Sequence, residues 1–180
     1  MEVSKDRLPA AVTFDELALP LFDQLYNFAR WLTQSREEAE DLVQETFAKA
    51  LRGFPSFQPG TNFRAWMYRI LRNTFLTSRT GLKAAPTYSL DDENLAPLEP
   101  GTSQTPEAIL IERSNQHLVQ SAIEELPLPF REILLLCEVD EMSYQEISET
   151  LSVPIGTVMS RLSRARTALR GIIKQKLEGA

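Results

Sequence analysis

The sequence predicts an all-α protein of two small helical domains joined by a flexible linker. Three observations carry that reading. Apolar residues recur at steps of three and four through both ends of the chain, with no convincing period-2 strand. Between Ala84 and Pro106 both periods vanish, and prolines 86, 97, 100 and 106 stand with Gly101, several Ser and Thr, and the acid run Asp91-Asp92-Glu93. Finally, 11 of the 19 lysines and arginines fall in two acid-free stretches, Phe63–Lys83 and Pro154–Leu177, one in each half.

In the amino-terminal half, Phe14 to Leu32 reads as a first helix, with Pro20 breaking or kinking it near its start. Ser35-Arg36-Glu37-Glu38 is a capping box that opens a second helix to about Arg52. Its expected buried face is Ala39, Leu42, Val43, Thr46, Phe47, Ala50 and Leu51. Glu40, Asp41, Gln44, Glu45 and Lys49 are left on the polar side, acidic towards the helix start where the dipole favours negative charge. Taken alone, that face reads as solvated.

After the turn Phe57–Asn62, a third helix has the apolar face Phe63, Trp66, Met67, Ile70, Leu71. A second stripe lies opposite: Arg64, Tyr68, Arg72, Phe75, Arg79. Two aromatics interleaved with three arginines suit single-stranded DNA, since bases stack on rings while guanidinium groups follow phosphates. The alternative is that Tyr68 and Phe75 pack against neighbouring helices.

In the carboxy-terminal half, Ser143-Tyr144-Gln145-Glu146 is a capping box, with Met142 and Ile147 placed as a hydrophobic staple. The helix it opens ends near Ser152-Val153. Pro154 then suits the first turn of the next helix. That last helix has the apolar stripe Ile155, Val158, Leu162, Ala165, Leu169, Ile172. Gly156, Thr157, Ser160, Ser163, Arg164 and Thr167 lie opposite, with Arg161, Arg166 and Arg170 on the flanks. A short turn between two amphipathic helices, the second basic, reads as helix-turn-helix, against the plainer reading of a helical hairpin with a solvated basic face.

Composition limits the function classes. The 180 residues carry a net charge of −6, and all 25 acidic residues lie outside the two basic stretches. Two local surfaces therefore attract phosphate while the body repels it, and the free chain is expected to bind DNA poorly. A single cysteine, Cys137, excludes an internal disulfide, and with one histidine, His117, no zinc site is expected. Cys137 reads as a core residue. No cofactor is expected. Without a signal-peptide hydrophobic region or an apolar run near the ~20 residues of a membrane span, a cytoplasmic protein is expected. The acid run at 91–93 could hold a metal for a nuclease, but a linker offers no rigid ligand shell.

Two longer runs are specific. Asp41-Leu42-Val43-Gln44-Glu45-Thr46-Phe47, with Phe63-Arg64-Ala65-Trp66-Met67-Tyr68-Arg69-Ile70-Leu71-Arg72-Asn73-Thr74, resembles region 2 of bacterial extracytoplasmic-function (ECF, group 4) sigma factors of the sigma-70 family. Leu126-Pro127, Phe130-Arg131, Tyr144–Ile147, Val153–Val158, Ser160-Arg161-Leu162 and Arg164-Ala165-Arg166 resemble region 4. The resemblance implies a tail at 1–13, region 2 at 14–83, a linker at 84–112, region 4 at 113–177 and a tail at 178–180. It implies that Asp41, Gln44 and Glu45 dock on core RNA polymerase, reversing the solvated reading. The loop Gln58–Asn62, with Arg69 and Asn73, would capture an unstacked base of the −10 element, while Arg64, Tyr68 and Arg72 hold the melted strand. Gly156, Thr157, Ser160, Arg161, Arg164 and Arg166 would read and grip double-stranded −35 DNA.

The implied protein is not an enzyme and has no small-molecule substrate. It directs polymerase to promoters, under an anti-sigma factor in a stress or envelope response. Met159, Ser163 and Ser148 depart from residues frequent in that family. The rival reading is a stand-alone helix-turn-helix repressor or activator, which leaves the amino-terminal half unexplained except as a sensing or dimerising domain.

Overall fold

A computed structural model describes residues 12–80 and 106–179, with side chains in the 106–125 helix described from Asn115 onward. The Pro-rich stretch 84–105 and its acid run lie outside the described residues. Among the described residues the secondary structure is helical, with no strand.

In the first half, α1 (Phe14–Ala18) is opened by a capping box that sequence reading missed. The Thr13 amide donates to Glu16 at 2.8 Å, and the Glu16 amide donates to the Thr13 hydroxyl. Pro20 sits in a single 3₁₀ turn at Leu19–Leu21, so the expected first helix is two helices, with α2 spanning Phe22–Thr33. Ser35 caps α3 (Arg36–Gly53) through the Glu38 amide, while the Glu38 carboxylate goes to Arg79 at 2.9 Å. α4 (Phe63–Thr80) is capped by Asn62, whose Oδ1 accepts from the Ala65 amide at 3.0 Å.

These helices enclose a core of Leu25, Phe28 and Leu32 from α2, Ala39, Leu42, Val43 and Ala50 from α3, and Met67, Leu71 and Phe75 from α4. Leu51, expected in that core, is 56% exposed. At about 100° per residue it falls well off the azimuth shared by Ala39, Leu42, Val43, Thr46 and Ala50. Phe14, Phe54, Phe57, Phe63 and Trp66 form an edge-to-face aromatic layer beneath the turn that precedes α4. That packing fixes where the Gln58–Asn62 loop stands.

In the second half, α5 (Pro106–Glu125) begins inside the stretch read as linker. α6 (Leu128–Leu134) runs on into one π-helical turn, Leu135–Val139, closed by the Asp140 amide donating to the Leu135 carbonyl at 2.9 Å. Arg131 donates to the carbonyls of Ile123, Glu124 and Leu126, tying down the end of α5. α7 (Tyr144–Leu151) and α8 (Ile155–Glu178) make the helix-turn-helix. Ser152, in the left-handed region at φ 55°, ends α7. Val158, Leu162 and Ala165 of α8 are buried as expected, whereas Ile155 is 40% exposed because it precedes the first turn that meets a neighbour.

The Ser143–Glu146 capping box is complete: the Ser143 amide donates to the Glu146 carboxylate at 2.8 Å and the Glu146 amide to the Ser143 hydroxyl at 3.2 Å. Its hydrogen bonds hold the Glu146 carboxyl below its ordinary pKa. Replacing Ser143 with alanine removes one acceptor from the start of α7 and should cost about 1 kcal/mol, seen as a melting temperature lower by roughly 3 °C. An unchanged melting curve would show that the cap adds nothing to the fold.

Candidate nucleic-acid and protein interfaces

Three surfaces collect the residues singled out by sequence. The first is a groove between α3 and the end of α4, lined by Glu38, Asp41, Leu42, Glu45, Phe75 and Arg79. Asp41 and Glu45 stand in it and Gln44 is exposed on the same helix. Glu45 is paired with Lys49 at 2.8 Å. Sequence reading missed the far wall: Phe75 is buried, Arg79 lies over its ring at 5.3 Å, and Arg79 bridges to Glu38. The groove is acidic with an apolar floor, suited to a basic helix or segment carrying one or two apolar side chains.

The second is a hollow lined by Phe57, Gln58, Thr61, Asn62, Trp66 and Arg69, and in this closed arrangement also by Glu149 of α7. Two amides, a hydroxyl, a guanidinium and two aromatic rings suit a planar base with hydrogen-bonding edges. Gln58, Arg69 and Asn73 are exposed on this side of α4. The opposite side of α4, from Arg64 to Arg72, is turned towards the second half of the chain. Tyr68 is fully buried and donates its hydroxyl to Asp140 at 2.8 Å. Arg72 makes a fork-to-fork pair with Glu132, at 2.7 and 3.0 Å. Arg64 donates to the Asp140 carbonyl, and Asn62 to Glu146 at 3.0 Å.

Four of the seven residues expected at the −10 strand, Asn62, Arg64, Tyr68 and Arg72, are therefore held by the second half of the chain in this closed arrangement. Phe75, the other aromatic of the stripe, packs in the core. Sequence had no means to see this, because the partners lie 60 or more residues away.

This seam is polar and incompletely satisfied. The Arg64 Nε is buried with no partner. Burial outweighs the Tyr68 and Arg64 contacts at Asp140 and pushes its carboxyl up to about 6, and it pushes the Tyr68 phenol up as well.

The third surface is the outward side of α8. Gly156, Ser160 and Ser163 are exposed and Thr157, Arg161 and Arg164 half-buried, with Ile155 and Met159 beside them. Arg166 departs from the set. It turns back to Glu138 on the π-helical turn, at 2.6 Å, which raises its pKa further, and its guanidinium also lies 3.9 Å from the Cys137 sulfur. In this arrangement its role is to brace α8 rather than to face outward. Cys137 is half-buried rather than a full core residue, and burial raises its thiol pKa, so it is not an activated nucleophile. Among the described residues no cluster of histidine, cysteine and acidic side chains could hold a metal ion, and no helix is long and apolar enough to cross a membrane.

Residues 20–84 match the family model for sigma-70 region 2 and residues 116–169 that for sigma-70 region 4. Over 166 residues the chain is 37% identical to the ECF RNA polymerase sigma factor SigE of Mycolicibacterium smegmatis, covering 89% of this chain and 62% of that protein. It is 35% identical to the ECF sigma factor SigW of Bacillus subtilis, covering 82% of each. A solved sigma factor RpoE, in complex with the anti-sigma factor NepR from Bartonella quintana, superposes with a TM-score of 0.63 at 27% identity, over 89% of this chain and 96% of that one. CnrH, solved with the cytosolic domain of CnrY, shares the fold at TM-score 0.63 and 24% identity, over 90% and 88%. With region 2 and region 4 present in order, and a relative above 30% identity matched over four-fifths of its length, the chain belongs to the ECF family of RNA polymerase sigma factors.

Proposed function

We propose that this chain is a group 4 sigma factor that binds core RNA polymerase in the cytoplasm and directs promoter-specific initiation, with an anti-sigma factor as its regulator. Its domains would be region 2 at 14–83 and region 4 at 113–177. The observation that supports this most is the presence on one chain of the Gln58–Trp66–Arg69 hollow and a helix-turn-helix whose last helix presents an acid-free outward face. The first offers stacking and edge contacts to a flipped base, the second lies in a major groove. The acidic groove with Asp41, Gln44 and Glu45 supplies the polymerase contact. Each contact alone is weak, and tethering two of them raises the effective concentration of the second. The polypeptide makes and breaks no bond; catalysis belongs to the polymerase.

Promoter use requires the seam to separate, since the strand competes with the Asp140 carbonyl for Arg64 and with the Asp140 and Glu132 carboxylates for Tyr68 and Arg72. The direct test is run-off transcription with core polymerase. Start-site-specific transcripts that need both proteins support the reading. Tight promoter binding by the chain alone, with no association with core polymerase, would establish the stand-alone regulator instead.

Closure should depend on pH. The Asp140 carboxyl sits near 6 in the closed form against about 3.8 when free, so the closed form binds the proton more tightly. Closure is then fully favoured below about 4, and that contribution is lost as pH rises through 6. Asp140→Asn, which retains an oxygen for the Tyr68 hydroxyl, should flatten the dependence between pH 4 and 7, read by energy transfer between dyes on the two halves. A slope equal to that of the unmodified chain would assign the titration to another group.

A further inference from the structure

Gly156 has no explanation inside the molecule. It occupies the first turn of α8, and glycine is a poorer helix former than alanine. Its φ is not in the left-handed region, and a Cβ built there would meet nothing within 4 Å. The fold would accept alanine, so the missing side chain serves something that approaches from outside. The residues bordering the gap are Ile155, 40% exposed, Met159, 55% exposed, and Ser160.

What sets Ile155 and Met159 apart from other exposed apolar side chains is that they stand together on the leading turns of the helix-turn-helix reader, beside a position with no side chain. Neither can bond a base donor or acceptor. A major-groove edge offers one apolar group, the thymine C5-methyl. Met159 is unbranched and adaptable enough to follow it. At the same position an arginine or lysine would instead select guanine through O6 and N7. Arg164 stands on the outward face with Ser160, and Arg161 on the flank away from Met159.

We propose that Met159, with Ile155 beside it, is a specificity-determining residue that reads a thymine methyl in the −35 element, close approach being allowed by Gly156. This rests on the sigma reading above, and the experiment separates the two. Promoters with a randomised −35 region are transcribed by core polymerase plus the full chain, and the enriched element is then rebuilt with uracil replacing each thymine in turn. At one or two positions uracil should reduce transcription about fourfold, the worth of one buried methyl.

Met159→Ala should transcribe thymine and uracil templates equally at those positions. Met159→Lys should move the enriched base there from thymine to guanine. An enriched element indifferent to uracil everywhere, or uracil sensitivity that persists in Met159→Ala, overturns the assignment and leaves the sigma reading intact. Failure to enrich any element overturns both.

Discussion

Replacing Glu132 with alanine should open the molecule. Glu132 is 1% exposed and its carboxylate is taken up by the Arg72 fork. Removing one partner of a buried pair typically costs about 3–5 kcal/mol because a charge is left desolvated and alone. Here the loss falls on the closed form only, since separation returns Arg72 to water. The ratio of open to closed chains should rise at least a hundredfold, seen as a larger scattering radius and faster proteolysis between the halves.

Arg72→Ala should open the seam equally but also lose a strand contact, so the two variants split. The glutamate variant gains in binding to pre-melted −10 DNA, while the arginine variant does not. If Glu132→Ala stays as compact as the parent, the ion pair is incidental to closure.

The second large effect is expected at the acidic groove. Triple replacement of Asp41, Gln44 and Glu45 by alanine removes two charges and an amide from an exposed face while leaving the core behind it intact. Alanine favours helix, and the one pair lost, Glu45 with Lys49, is exposed and worth little, so the melting temperature should barely move. If these groups pair with basic side chains of the polymerase, affinity should fall by a factor of a hundred or more, since truncating one partner of a desolvated, hydrogen-bonded charge pair across an interface costs about 2–5 kcal/mol. Binding within threefold of the parent would show that polymerase docks elsewhere.

The elements were legible in sequence because their signals are local. The Ser35 cap, the Ser143 capping box, the proline at the head of α8 and the three-and-four apolar steps all act within a turn or two of helix, although at Ser35 the glutamate half of the expected box goes to Arg79 instead. Leu51 and Ile155 were misplaced for different reasons: Leu51 lies well off the azimuth of the buried α3 stripe, and Ile155 is the first residue of α8. The acidic groove and the base-sized hollow were half visible: one wall of the groove lies on α3 but Phe75 and Arg79 come from α4, and the hollow is completed by Glu149 of α7. The seam was invisible. Tyr68 reads equally as a stacking platform or as a packed ring, and only its distant partner Asp140 decides which it is in the closed chain. The Arg166–Glu138 pair was invisible for the same reason, its acid lying 28 residues upstream.

The π-helical turn before Asp140 holds one residue more than an α-helix would need there. Deleting a single position between Leu135 and Val139 would return that turn to α-helical winding and displace Asp140 from the place where it meets α4. Asp140 would leave Tyr68 and Arg64, while α8 kept its face for the double helix. Length variation at this one turn is thus a dial on the resting state, adjustable by evolution or by design without rewriting a single base-reading side chain.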